Sequence, residues 1–354
     1  MEKIIFLFPY PLDSAPSQRF RFEQYLPALK KQYQVNLHAF IDHETWTSLY
    51  DSGRTIFKIK KIIACFWRRF KILPKIAKSD WVFIHREASH IGPPVFEWII
   101  AKVLRKKIIY DFDDAIWLPN YSETNANFQR LKAYWKVKPI MRWSHKICAG
   151  NHFLADFAKQ QNSQVEVFPT TIDLENQHNQ QTNQDQDPVI IGWTGTHTTM
   201  HYLDDFFPVL DELIKTHNFV FRVITNKAPE ISRGYLDYIP WNKESEIEDL
   251  AKINIGVMPL KEDIWSAGKC GFKALQYMAC EIPTVLSPIG VNTTIVQNNE
   301  NGILANSDSE WITELSRLIE DKQKRIQLGK AGKLTIEASY SAQTRTEQFI
   351  QLFK

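Results

Sequence analysis

Short, uninterrupted apolar runs alternate along this chain with longer amphipathic stretches. Ile4 to Phe8 is apolar at every position, the mark of a strand buried on both faces of a parallel sheet. Further strands are predicted at Val35–Phe40, Trp81–Ile84, Ile108–Tyr110 and Ser144–Ala149. In the second half they are predicted within Val189–Thr196, where a strand runs into a small-residue loop, at Phe219–Thr225 and at Thr284–Ser287. Between them, apolar residues recur at helical spacing. One helix starts near Ser17 and continues through Leu26 and Leu29; others span Phe96–Leu104, the stretch after Asn151 through Phe157, and Leu203 to Leu210. Ile247 with Leu250, Phe272 to Ala279, Trp311–Ile319, Ile326–Ile336 and Thr344–Phe353 follow. Strand and helix thus alternate throughout, the pattern of α/β layers with a parallel sheet.

The alternation is interrupted once. Glu175 to Asp187, ENQHNQQTNQDQD, holds no apolar residue and reads as a solvated linker. With 354 residues, more than one core usually supports, the chain is expected to form two domains about that break. A net charge of +3 is too small to argue for a nucleic-acid partner. Cys65, Cys148, Cys270 and Cys280 show neither C-x-x-C spacing nor clustered histidines, so they read as free thiols in a reducing cytoplasm with no metal site. No apolar run approaches membrane-spanning length, and Lys3 to Phe8 is too short for a signal segment.

The candidate chemistry sits at strand ends. After Ile4–Phe8, a Pro-rich turn delivers Arg19 and Arg21 to a helix start. They read equally as residues facing a ligand cleft and as surface arginines of an amphipathic helix. Trp81–Ile84 runs into His85-Arg86-Glu87, and Ile108–Tyr110 into Asp111-Phe112-Asp113-Asp114. In the second half Thr194-Gly195-Thr196 forms a small-residue loop after a strand, without the G-x-G-x-x-G of dinucleotide folds, which argues against an NAD enzyme. Asp263 to Gly290 holds Ser266, Gly268 and Lys269 immediately before a helix, a place that suits an anion.

The segment GKCGFKALQYMACEIPTVLSPIGVN, followed by Asn301-Gly302-Ile303-Leu304, resembles the donor-site segment of retaining glycosyltransferases of family 4 (glycosyl transferases group 1), which have the GT-B fold. Val165 to Asp173 resembles that family's exit from its first domain. The resemblance implies two Rossmann-like, doubly wound domains facing a cleft: an acceptor-side domain over residues 1–174, a linker at 175–188, a nucleotide-sugar-binding domain over 189–335, and a C-terminal segment, 336–354, whose helix returns to the first domain. It also implies transfer with retention from a nucleotide-sugar to a glycan or lipid-linked acceptor, in the synthesis of cell-surface polysaccharide or glycolipid, with no cofactor and no metal.

Two departures stand out. The paired glutamates of the family fall on Gly268 and Gln276, and the arginine and lysine usual after the second domain's first strand fall on Thr196 and His201. The donor set expected from the resemblance is therefore Thr194, Gly195, Thr196, Trp241, Asp263, Ser266, Gly268, Lys269 and Gln276. Lys269 carries the charge for the diphosphate, and Asp263 stands in for the missing glutamate. Asp113 takes the place of the family's histidine and is, with Lys269, the expected catalytic residue. Arg19, Arg21, His85, Asp111 and Asp114 belong to the acceptor side or cleft. Asp113 reads equally as a carboxylate paired with Arg86 or Lys107. Two other functions remain open: a non-catalytic sugar-nucleotide-binding subunit, and a metal-dependent GT-A transferase using Asp111 and Asp113 as a D-x-D pair.

Arg54 to Lys78 carries nine Lys or Arg and no acidic residue, interleaved with Ile, Phe and Trp. It reads either as an interfacial helix on an anionic membrane, placing a cytoplasmic protein on the inner face of the plasma membrane, or as a helix packing its apolar side on the first sheet.

Overall fold

The structure, a computed structural model, describes residues 1–49, 55–119 and 131–354. The chain forms two compact units, Met1–Thr170 with Thr346–Lys354, and Thr171–Arg345.

The first unit is built on six parallel strands: β1 (Lys3–Phe8), β2 (Gln34–Ala39), β3 (Trp81–His85), β4 (Lys107–Phe112), β5 (Lys146–Ala149) and β6 (Val165–Val167). Their order is β2-β1-β3-β4-β5-β6, with Ile4 registered against both Val35 and Trp81. The apolar runs are continuous because helices cover both faces; every residue of β3 is buried. The core is aromatic: Phe6 packs 4.7 Å from Phe83 and 5.4 Å from Phe22. The chain's last turn joins it, with Phe349 stacked on Tyr25 at 4.5 Å and Phe353 against Phe6 and Phe83.

The second unit has β7 (Val189–Thr194), β8 (Phe219–Thr225), β9 (Leu236–Pro240), β10 (Ile255–Met258), β11 (Thr284–Leu286) and β12 (Ile303–Leu304), in the order β12-β11-β10-β7-β8-β9. In each sheet the direction of winding reverses once, between β1 and β3 and between β7 and β10. In open α/β sheets, ligands bind outside the carboxyl ends of the strands at that reversal.

Several elements differ from the sequence reading. The expected helix from Ser17 to Leu29 is three short pieces, Pro16–Arg21, Glu23–Tyr25 and Leu26–Leu29, broken at Phe22, which leaves the helical conformation, with Pro27 in the first turn of the last piece. The expected helix around Leu203 is a 3-10 helix, His197–Leu203, followed by Phe207–Leu213, with Pro208 at the new start. The polar stretch 175–187 is not a freely solvated linker. His178 and Gln184 are buried in the second unit. Gln184 donates to Asn254 O and accepts from Arg325 Nε, so side-chain hydrogen bonds rather than apolar contact tie the segment down. The basic stretch is helical over Thr55–Lys71 and again over Leu73–Ala77; Arg54 lies outside the described residues. All four cysteines are free thiols, three of them buried. Among the described residues, no helix is long and apolar enough to cross a membrane.

Candidate functional site

In the second unit, β7 and β10 deliver their loops to the winding reversal. At the end of β7 the Trp193 ring folds under Gly195, where a Cβ would stand 2.5 Å from the indole. Only glycine fits that turn. The Thr194 N–H donates to Tyr277 Oη (2.9 Å) and the Gly195 N–H to Ile224 O (3.0 Å). Both amides are therefore occupied within the fold. The exposed groups follow one residue later: Thr196 and Thr198 share a 2.8 Å hydroxyl contact, and the His197 N–H donates to Asn226.

After β10, Asp263 caps the short helix Ile264–Ala267 by accepting from the Ser266 N–H (2.6 Å). One oxygen of its carboxylate thus fixes the start of that helix. Ser266 is fully buried, with its Oγ 3.1 Å from Tyr202 Oη, and fastens the loop to the 3-10 helix His197–Leu203. Gly268 ends the short helix and is buried. Lys269 places its ammonium 5.1 Å from the Trp265 ring centroid. Gly271 (φ +67) then turns the chain into the helix Phe272–Ala279; a Cβ there would meet Ile295 at 2.4 Å.

The structure adds Lys273 to this set, a residue the sequence reading passed over. Its ammonium lies 5.2 Å from the Trp193 ring centroid, beside the Gly195 turn. The signal was its place as the second residue of the helix Phe272–Ala279, in the first turn where an anion is favoured.

Gln276 is almost fully buried on that helix. Its Nε2 donates to Glu246 Oε1 (3.2 Å) and lies 3.3 Å from His178 Nε2. A glutamate at position 276 would bring two carboxylates together, so the amide is the side chain that fits beside Glu246. Glu246 begins the helix Glu246–Ala251. Ser245 and Asp249, immediately before and within that helix, line an open cavity of about 690 Å³ together with Ile239, Pro240, Trp241, Asn242 and Lys243. Trp241 thus sits in a cavity wall just after the edge strand β9, while Gln276 reaches the same helix from beneath.

In the first unit the carboxyl ends of β3 and β4 bring charged groups together. Asp111, inside β4, is 1 % exposed and is held between Arg21 and His85 Nδ1 (2.6 Å). Arg21, fully buried, also donates to Phe168 O. Burial alone would raise the Asp111 carboxyl, but the Arg21 charge and the His85 hydrogen bond outweigh it and hold the group well below the usual carboxylate range. Asp113 accepts from Arg86 Nε (2.8 Å), and Asp114 lies 3.5 Å from Arg86 Nη2. Of the two partners open to Asp113, the structure selects Arg86; Lys107 instead lies over Trp81, 4.7 Å from the ring centroid. Burial opposes ionisation of Asp113 as well, and the Arg86 charge again lowers its pKa. Arg19 is buried, its guanidinium 5.0 Å from the Phe20 ring centroid.

The D-x-D reading fails on this geometry. Both Asp111 oxygens are taken, by Arg21 and His85, and Asp113 is paired with Arg86, so the two carboxylates do not converge on a shared cation. Among the described residues, no three His, Cys, Asp or Glu are grouped to hold a metal ion.

Comparison with known proteins fits this picture. Residues 188–321, which include the β7 loop, Glu246 and the Lys269–Gln276 segment, match the family model described as Glycosyl transferases group 1. No curated protein sequence matches the chain significantly. Among solved structures, the chain is similar to HepE from Anabaena in complex with UDP and glucose, at 13% identity and TM-score 0.71, covering 99% of both chains. It is similar to sucrose-phosphate synthase from Thermosynechococcus elongatus at 12% identity and TM-score 0.68, covering 99% of this chain and 98% of that one. A glycosyltransferase from Rickettsia africae aligns at 13% identity and TM-score 0.67, over 100% of this chain and 98% of that one. The two parallel six-stranded units with their returning C-terminal helix have the GT-B fold.

Proposed function

We propose that the chain is a glycosyltransferase that moves a sugar, with retention, from a nucleotide-sugar donor to a glycan or lipid-linked acceptor in the synthesis of cell-surface polysaccharide or glycolipid. The observation that carries this reading is the pair Lys269 and Lys273 flanking one helix start, Lys273 against Trp193 at the end of β7, within the segment that matches the glycosyltransferase family model. When the bond from the sugar's anomeric carbon to the diphosphate breaks, negative charge grows on a phosphate oxygen. Two ammonium groups and the positive end of a helix stabilise that charge and so lower the barrier.

The remaining roles follow from position. The cavity containing Trp241 receives the donor's base against the indole face. Glu246, supported by Gln276, supplies the carboxylate that the altered motif lacks and accepts hydrogen bonds from donor hydroxyls. In the first unit Asp113, kept ionised by Arg86, accepts a hydrogen bond from the acceptor hydroxyl or the transferred sugar. The buried Arg21–Asp111–His85 cluster positions the strand end that carries Asp113. Transfer needs no metal and no cofactor, and the enzyme works in the cytoplasm, at the inner face of the plasma membrane.

The changes at Gly268 and Gln276 favour one rival reading, a sugar-nucleotide-binding subunit without turnover. A thermal-shift panel of nucleoside diphosphates and their sugars identifies the donor, because a ligand bound only by the folded state raises stability by mass action. NMR of the product's anomeric configuration then tests retention. An inverted product removes that part of the reading.

A further inference from the structure

The helix Thr55–Lys71 is amphipathic in the opposite sense to one that packs a core. Its inward face holds buried Cys65 and Arg69, and Arg69 donates to the carbonyls of Ala88 and His38 (both 2.9 Å). Its outward face carries Ile56, Ile59, Ile63, Trp67 and Phe70, which are 74, 54, 51, 64 and 42% exposed. Spacings of three and four residues put these five on one stripe. Phe70 meets Phe96 at 4.8 Å, and two residues further on Trp98, 48% exposed, adds a second indole. Lys60 and Lys71 are exposed at the margin of the stripe, with Lys75 and Lys78 exposed beyond it. Not every positive charge here is available: Arg69 is buried, Arg68 pairs with Asp42, and Lys61 with Glu44.

We propose that this face docks the first unit on an anionic lipid bilayer. The stripe needs an apolar medium, and the lysines along its margin need negative charge. A headgroup–acyl boundary supplies both at once. A second copy of the chain would bring the same lysines together across the interface, and no acidic residue of Thr55–Lys78 could offset them.

The test uses the full chain and does not depend on transferase activity. Co-sedimentation is measured with phosphatidylcholine vesicles, with and without phosphatidylglycerol, over a range of salt. Binding is expected only with the anionic lipid and weakens as salt rises. Lys60→Gln/Lys71→Gln/Lys75→Gln should lower the partition coefficient by roughly 100-fold, each surface lysine contributing about a fivefold factor. Ile63→Ser/Trp67→Ser should abolish binding while leaving circular dichroism and nucleotide affinity unchanged, since both side chains are exposed. Equal binding to neutral vesicles, or none at low salt, overturns the proposal. A concentration-dependent dimer that Ile63→Ser/Trp67→Ser disperses also overturns it, because a second copy then covers the stripe.

Discussion

A glutamate at position 276 should harm this protein. Gln276 is 2 % exposed, and its amide donates to Glu246 Oε1 at 3.2 Å. In Gln276→Glu that donor becomes a carboxylate, and two buried acids meet at hydrogen-bonding distance. Like-charge repulsion forces one carboxyl of the variant to keep its proton, whose O–H then takes over the hydrogen bond, and holding that proton at neutral pH costs roughly 2–4 kcal/mol. The sign with pH follows. That carboxyl's folded pKa lies above its unfolded value, so the variant approaches wild-type stability below the unfolded pKa and loses ground as pH rises through the folded one. Exchanging the pair, Gln276→Glu/Glu246→Gln, restores one amide and one carboxylate and should recover most of the loss. Chemical denaturation at pH 5 and pH 8, followed by signals from the second unit, measures all four members of the cycle. A pH-independent Gln276→Glu, or an exchange that recovers nothing, would refute the pairing.

Other consequences are as direct. Lys269→Ala and Lys273→Ala should each weaken nucleoside diphosphate binding by about 1.5–3 kcal/mol in calorimetry without unfolding the protein, and unchanged affinity in both would remove them from the diphosphate site. Asp111→Asn strands a buried Arg21 charge and should destabilise the first unit by roughly 3–5 kcal/mol at pH 7. Because the Asp111 carboxyl is held below its ordinary 3.8, its contribution is present above that pH and lost as pH falls through the folded value. The gap between wild type and variant should therefore close in acid, and a constant gap would contradict the ion pair. Asp113→Asn should lower kcat far more than it lowers donor affinity, because the proposed nucleotide site, with Lys269, Lys273 and Trp241, lies in the second unit.

How much of this was legible in the sequence depended on the interaction. The sheet strands are runs such as Ile4–Phe8, whose continuity reports burial on both faces. β9 escaped because Leu236–Pro240 is a half-buried edge strand ending in proline, with no apolar run to betray it. In the Asp263–Gly290 segment the helix Phe272–Ala279 and the strand Thr284–Leu286 are legible, because turn residues and helical period are local signals, while the stretch around Ser266 that reads as a loop is the short helix Ile264–Ala267. Much of what the segment's side chains touch is not local: Ser266 Oγ meets Tyr202 Oη and Tyr277 Oη accepts from the Thr194 N–H, both far away along the chain. Glu246 meets Gln276 across 30 residues, and no spacing rule reports such a pair. The basic helix was visible from its composition, but only the fold shows that Arg69 is buried and Trp67 exposed.

Transfer from a nucleotide-sugar is read out as release of nucleoside diphosphate by the purified protein, given the donor that stabilises it most, with and without acceptor glycan. Release is expected in the presence of chelator, faster with acceptor, and strongly reduced in Lys269→Ala/Lys273→Ala. Tight donor binding with no release under any acceptor would contradict it and leave a sugar-nucleotide-binding subunit.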